Sequence, residues 1–269
     1  MQRLRELIRQ APSPTEPQRW NLCREYLQTL ILKSIFAFPS SKSLVFQGGT
    51  CLRICHQIKR YSEDLDLSRT ERGPKGSFLA LHENILKDLS RRGFDVSGSC
   101  AEEKTVQKAF VRVGGLVEEF HFSLPKEQRL AIKVEIDAHP PRGGGEGTFF
   151  VTRFGEIFPI RKFDLPTLFS GKALAILLRP YVRGRDYYDL IWFLSQKVQG
   201  NIPYFESGMK QAKGERPLLR TWKETLSAIA KKVDQLDLAV LTKDLRPFLE
   251  DPADLQWLQN YPQVFRQLI

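Results

Sequence analysis

Long apolar runs are absent from this sequence. No stretch reaches the roughly 20 residues that a helix needs to cross a bilayer, which argues against a membrane-spanning helix. The opening Met1-Gln-Arg-Leu-Arg-Glu is charged and carries no apolar signal-peptide segment, so a cytoplasmic protein with no membrane partner is expected. Cysteine is scarce: the four residues Cys23, Cys51, Cys55 and Cys100 are scattered. Cys51 and Cys55 would share a helix face, but a zinc site needs a second ligand pair at fixed spacing, and His56 and His82 do not supply one. Buried free thiols are the expectation. There is no internal repeat and no low-complexity tract.

What is present is an ordinary globular composition of 269 residues, 42% apolar and 27% charged. That excludes a disordered tail, a collagen and a coiled coil. The length suffices for one large domain or two modest ones. Lys plus Arg is 41 and Asp plus Glu is 31, a net charge of 41 − 31 = +10. With a pI near 9.5, the excess points to an anionic partner such as nucleic acid, a nucleotide or an acidic protein.

Along the chain, residues 1–15 suggest a short helix and a loop containing Pro12 and Pro14. Residues 16–37 have helical apolar spacing, with Thr15 as N-cap and Pro17 near the first turn. Ser43 to Gln47 predicts a strand stopped by Gly48-Gly49, with a helix over 50–58 directly after the glycines. Leu65 to Leu67 predicts a strand, 77–91 an amphipathic helix ending at Gly93, and 105–123 a hairpin around Gly114-Gly115. Residues 130–138 predict another strand, and Gly143-Gly144-Gly145 a mobile loop. From Pro166 the pattern is helical: 166–178, a break at Pro180, 186–194, then 216–233, 235–246 and 252–268. Trp192, Phe193, Trp222 and Trp257 are expected in the core.

The chemistry concentrates in Gly48-Gly49-Thr50-Cys51-Leu52-Arg53 and Arg60-Tyr61-Ser62-Glu63-Asp64-Leu65-Asp66. A strand running into two glycines and a helix lets backbone N–H groups approach a phosphate, with Thr50 offering a hydroxyl. Asp64 and Asp66, at strand spacing, point to one face. Two like charges so close need a neutraliser, and magnesium, a hard cation with carboxylate ligands, is the natural one. Glu135 and Asp137 repeat the arrangement on a later strand. If the strands are neighbours, three carboxylates converge beside the glycines, which suits metal-assisted phosphoryl transfer. Each part alone also has a plain reading: a simple turn, or a solvated strand face.

The order of these pieces resembles the nucleotidyltransferase superfamily. More specifically, Gly48-Gly49-Thr50-x-Leu52-Arg53 followed by Arg60-x-Ser62-x-Asp64-x-Asp66 resembles the first motif of the AbiEii/AbiGii (MenT-like) toxin nucleotidyltransferases. Lys133-Val134-Glu135-Ile136 is similar to that family's third acidic strand, which favours Glu135 over its rival Asp137. Lys172-x-x-Ala175-x-x-x-Arg179 and Arg185-Asp186-x-x-Asp189-Leu190 resemble its helical motif. Thr50 stands where the family commonly has Ser, and residues 200–269 match no motif.

The resemblance implies an α+β fold: a nucleotidyltransferase-like N-terminal mixed sheet with helices over residues 1–163, then an all-helical part over 164–269. It implies a magnesium-dependent toxin of a bacterial toxin–antitoxin or phage-defence pair. Such a toxin transfers nucleotides from an NTP to RNA, with tRNA acceptor ends as a substrate class, and so blocks translation. An antitoxin encoded alongside is the expected protein partner. Gly48, Gly49 and Thr50 would cradle the β- and γ-phosphates, and Asp64, Asp66 and Glu135 would hold magnesium. Glu135 or Asp137 would help activate the attacking hydroxyl. Lys172 would neutralise the triphosphate, and Asp186 would face the nucleotide, Lys172 or Arg53. Arg53 and Arg60 would bind phosphate or pair with acids, and Ser62 would touch the triphosphate or cap its loop. Arg179, Arg183 and Arg185, interleaved with Tyr181, Tyr187 and Tyr188, suggest a surface for unpaired RNA; the tyrosines are equally readable as core. Lys210, Lys213, Arg216, Arg220 and Lys223 add basic surface. Two other readings stay open: a phosphotransferase acting on a protein or small molecule, and a non-catalytic module binding RNA or a partner.

Overall fold

The computed structural model describes residues 1–11, 15–70, 76–102, 105–214 and 219–269. Pro12, Pro14 and Arg216 lie outside them. The described elements are helices and one seven-stranded mixed sheet, as the α+β reading expects.

Helix α1 (Gln2–Gln10) precedes α2 (Glu16–Ala37). The long helix starts where expected because Thr15 accepts from the Gln18 N–H while the Gln18 side chain returns to the Thr15 backbone, satisfying two otherwise orphaned donors. It ends before Phe38-Pro39, where the proline disfavours helical backbone at its predecessor. Cys23, Leu27, Ile31, Leu32 and Ile35 are fully buried along it.

Strand β1 (Leu44–Gln47) runs straight into α3 (Gly48–His56). The two glycines form the first turn of this helix instead of a linker before it. After β2 (Leu65–Arg69) comes α4 (Phe78–Arg91), capped by Ser77. Strands β3 (Val96–Ala101), β4 (Val106–Val113) and β5 (Leu130–Asp137) follow, with the short helix α5 (Leu116–Glu119) between β4 and β5. The expected hairpin around Gly114-Gly115 is not formed. Gly115, at φ +75°, caps α5, and β4 pairs with β3 and β5 instead. Strands β6 (Glu146–Arg153) and β7 (Glu156–Phe163) form a hairpin whose loop residues, Phe154 and Gly155, both have positive φ. That is the backbone a two-residue hairpin turn demands.

The sheet order is β3-β4-β5-β2-β1-β7-β6. Strand β2 is antiparallel to β1 and parallel to β5, with Asp66 beside Gln47 on one side and Glu135 on the other. Along β5, Leu130, Ile132, Val134 and Ile136 are buried while Lys133, Glu135 and Asp137 face the other way. The apolar face is covered by α2 and α4. Alternation with period two therefore forces the charged residues of β2 and β5 onto the opposite face.

The helices α6 (Leu165–Leu178), α7 (Gly184–Ser195), α8 (Ile202–Lys213), α9 (Trp222–Asp234), α10 (Leu238–Leu245), α11 (Leu255–Leu258) and α12 (Tyr261–Leu268) complete the chain. The segment expected as one helix over 252–268 is broken into a 3-10 turn and two short helices. Phe169 and Phe193 stack at 4.6 Å, and Trp222 meets Phe169 edge-on at 4.6 Å. The chain divides into two compact units. One comprises Met1–Cys51, Glu63–His139 and Thr148–Arg161; the other comprises Leu52–Ser62, Pro140–Gly147 and Lys162–Ile269. The Gly143–Gly145 loop is tethered within the helical unit. The Gly145 N–H donates to Thr167 Oγ1, the Gly145 carbonyl accepts from the Asp164 N–H, and the Gly143 carbonyl accepts from Asn201.

Candidate active site

In the sheet unit, the polar face of the central strands carries a row formed by Gln47, Asp66, Glu135 and Lys108, one from each of four adjacent strands. Asp64 lies just before β2. Its backbone is held from two sides: Gln28 on α2 donates to the Glu63 carbonyl at 2.8 Å, and the Thr50 hydroxyl donates to the Asp64 carbonyl. Thr50 is fully buried, so its hydroxyl serves the strand start.

Gly48 is required here for two separate reasons. Its φ is +77°, and a Cβ on it would collide with Asp66 Oδ2. The Asp66 carboxylate therefore rests directly against the helix-opening backbone, and any side chain at Gly48 would displace it.

Lys133 bridges the acids. Its Nζ lies 3.0 Å from Asp64 Oδ2 and 3.2 Å from Glu135 Oε2, while Lys108 Nζ lies 3.2 Å from Glu135 Oε1. Burial opposes the charge on Lys133, yet Asp64 and Glu135 more than offset it and raise its pKa. Asp137 stands apart, one row along beside Ser68, with Oδ1 accepting the His139 N–H at 2.9 Å. Burial pushes the Asp137 carboxyl up, against that hydrogen bond. Among the described residues no three Asp, Glu, His or Cys side chains are already arranged around a common metal position. The donor set nonetheless suits magnesium: hard carboxylate oxygens on adjacent strands, only partly exposed, already drawn around a cation, the Lys133 ammonium.

The second cluster lies in the helical unit. Segment 52–62 is fastened there by the Tyr61 N–H donating to the Phe248 carbonyl and the Glu250 N–H donating to the Lys59 carbonyl. Arg60, 1% exposed, forms two hydrogen bonds with Asp189, which is fully buried. Lys172 Nζ lies 2.8 Å from Asp189 Oδ2 and 2.7 Å from Asp186 Oδ1, and Arg179 donates to Asp186 Oδ2. Burial alone would raise the Asp186 carboxyl, but Lys172 and Arg179 outweigh it and hold it below its ordinary value. The two carboxylates account for two of the three Lys172 N–H donors.

Other predicted residues are engaged elsewhere. Arg53 pairs with Glu250, donates to the Ile58 carbonyl and stacks on Tyr61. Ser62 is buried. Arg185 is buried with its guanidinium 3.9 Å from the Phe248 ring centroid, and Arg183 precedes α7 half-buried. Thus Arg179, Arg183 and Arg185 do not form one exposed row. Lys108, Gln28 and Glu250 were not anticipated. Gln28 had a signal, a polar residue on the apolar face of α2; Lys108 and Glu250 had none, because their partners are distant in sequence.

A family model for the nucleotidyl transferase AbiEii toxin of type IV toxin–antitoxin systems matches residues 30–260. The chain belongs to this family. Residues 46–190, which carry the resembling motifs, fall inside the match. Comparison with curated proteins finds no match. Among solved structures, this AbiEii chain is similar to JHP933 from Helicobacter pylori, with 18% identity, 92% of this chain and 90% of that one covered, and a TM-score of 0.54. It is also similar to a second H. pylori protein, at 19% identity, coverage of 92% and 93%, and a TM-score of 0.57. A third is MenT4, a nucleotidyltransferase toxin from Mycobacterium tuberculosis, at 15% identity, coverage of 97% and 98%, and a TM-score of 0.52. At such identities these likenesses establish the fold. No helix among the described residues is long and apolar enough to cross a membrane.

Proposed function

We propose that this AbiEii toxin transfers nucleotides from an NTP to the acceptor end of tRNA in the bacterial cytoplasm, stopping translation until its antitoxin, encoded alongside, prevents it. The observation that carries the reading is the juxtaposition of Asp66 with Glu135 on adjacent parallel strands and with Gly48 at the opening of α3. The reaction is attack of a terminal RNA hydroxyl on the α-phosphate, forming the new phosphodiester and releasing pyrophosphate.

Each residue has a share in this scheme. Gly48 and Gly49 offer backbone to the β- and γ-phosphates. Thr50 holds the Asp64 backbone, its hydroxyl being committed there. Asp64, Asp66 and Glu135 would hold magnesium, which when bound supplies charge neutralisation for the triphosphate. Glu135 lies in the row of Asp66 and is the better base for the attacking hydroxyl; Asp137 supports the strand end through His139. Lys133 and Lys108 keep the carboxylates from repelling one another in the resting protein. On the helical unit, Lys172 is the motif cation suited to neutralising phosphate, and Asp186, 2.7 Å away, positions it. Arg53, Arg60 and Arg185 have structural work, while Ser62 precedes the acidic strand in the chain.

The test incubates purified wild type and Asp64→Ala/Asp66→Ala with total tRNA, magnesium and each α-labelled NTP. Label on tRNA with wild type alone is expected and identifies the nucleotide. No label on any RNA, with γ-label appearing on protein or a small molecule, would overturn the tRNA reading in favour of phosphotransfer.

A further inference from the structure

The tyrosines of the helical unit divide sharply. Tyr61, Tyr187, Tyr188, Tyr204 and Tyr261 are all buried. The Tyr188 hydroxyl is spent on Asp254 at 2.7 Å, and the Tyr261 hydroxyl on the Tyr187 carbonyl at 2.8 Å. Tyr181 is the exception, 64% exposed.

Its setting is anchored nonetheless. Arg179 lies over the Tyr181 ring, 5.8 Å from guanidinium carbon to centroid. That guanidinium is fixed by Asp186, the carboxylate that also holds Lys172. The Arg179 backbone is tied at both ends, its N–H to the Ala175 carbonyl at 3.1 Å and its carbonyl to Lys232 Nζ at 3.4 Å. Pro180 stands between the two residues and locks its own φ. A large ring left in water forgoes the stabilisation of burial; here the loop holds it backed by a cation.

We infer that Tyr181 is a nucleobase-stacking platform on the rim of the Lys172 cluster. The cluster of Arg60, Lys172, Arg179, Asp186 and Asp189 has a net charge of 3 − 2 = +1, with Arg183 close enough to act on Asp186. A ligand drawn there carries negative charge, and a flat aromatic face beside it suits the base of a phosphate-bearing molecule. Stacking on an aromatic ring tolerates every base, so the platform adds affinity without choosing a letter. The base belongs either to the NTP or to the RNA acceptor. The inference deepens the proposed transfer reaction and rests on it.

The test uses the full chain as wild type, Tyr181→Ala and Tyr181→Phe. Equilibrium binding is measured for an NTP, for base-free ribose triphosphate and for a short single-stranded RNA with a free 3′ hydroxyl. Tyr181→Trp adds a fluorescence readout, taken as quenching beyond that of the four native tryptophans. The expected result is roughly fivefold or greater weakening of one base-bearing ligand by Tyr181→Ala. Tyr181→Phe should retain binding, the added indole of Tyr181→Trp should be quenched by that same ligand, and the base-free triphosphate should bind all variants alike. Loss confined to the NTP or to the RNA identifies the source of the base. If Tyr181→Ala binds both like wild type and neither ligand quenches the added indole, the platform is overturned while label transfer by wild type leaves the reaction standing. Wild type that binds neither ligand and transfers nothing overturns both.

Discussion

Arg60 and Asp189, 129 positions apart, meet through two hydrogen bonds of 2.6 and 2.5 Å with neither side chain reaching solvent. Removing one partner leaves an uncompensated buried charge, which costs about 3–5 kcal/mol, whereas replacing both with apolar groups of similar volume is often close to neutral. Arg60→Met should therefore lower stability by about that amount, read from urea unfolding. Arg60→Met/Asp189→Leu should recover part of it. Recovery stays incomplete because Asp189 also neutralises Lys172 at 2.8 Å. A double variant whose losses simply add would show that the two residues do not act as a pair.

Gly48 offers a second test, with a control in the same unit. Gly93 has φ +81° and open space where a Cβ would stand, while Gly48 has φ +77° and Asp66 in that space. Gly93→Ala should cost only the left-handed strain of about 1–2 kcal/mol. Gly48→Ala should cost more in thermal unfolding and should also abolish nucleotide transfer, since Asp66 must move. Equal stability losses for the two alanines, with transfer retained in Gly48→Ala, would mean that the Asp66 carboxylate is free to relocate.

Local chemistry made much of this legible in the sequence. The Thr15 capping box and the alternation of Leu130 to Asp137 each act within a few residues and yield the element expected, and Gly48-Gly49 marks the strand end, although the glycines enter the helix itself instead of preceding it. What escaped either lacks a usual local signal or depends on partners remote in sequence. The β6–β7 hairpin has Phe154-Gly155 at its turn in place of the usual Asn-Gly signal. Helix α8 carries Asn201 as N-cap and Pro203 in its first turn, but Gly208 interrupts its pattern. That glycine packs against Leu174, which a Cβ would strike. Arg60 illustrates the same limit for the site: its charge is visible in the sequence, its burial against Asp189 is not.

His56 should leave a signature in acid. Burial, with Lys162 adding repulsion, lowers its pKa from 6.5 to about 4, and its Nε2 is buried without a hydrogen-bond partner. The folded state thus keeps the ring neutral while the unfolded state protonates it below pH 6.5. Stability should be unaffected by this group above 6.5, fall between 6.5 and about 4, and level off below. Each tenfold change in proton affinity is worth roughly 1.4 kcal/mol, and solvent reaching the half-buried ring screens part of that, so the loss should be about 1–2 kcal/mol. His56→Phe should flatten the slope of unfolding free energy between pH 6.5 and 5, where few carboxylates titrate. An unchanged slope would place the ring in a wetter setting.

The sharpest discrimination concerns the two acids of β5. Glu135 shares a row with Asp66 and is contacted by Lys133 and Lys108, whereas Asp137 is one row away and bonded to its own turn through His139. Both are strand residues on the same face, so their isosteric amides disturb packing equally little. Glu135→Gln removes the carboxylate that the proposed reaction uses as magnesium ligand and base, and transfer should fall by about 10²–10⁴-fold with little change in unfolding midpoint. Asp137→Asn keeps an oxygen for the His139 N–H and should hold activity within a few fold. The lysines provide an internal check. With Glu135 neutral, Lys133 loses one of the two carboxylates that raise its pKa, Asp64 and Glu135, so its pKa should drop in Glu135→Gln and not in Asp137→Asn. Reversed activities, with Asp137→Asn inactive and Glu135→Gln unimpaired, would make Asp137 the third acid and require the strand end to reorganise when nucleotide binds.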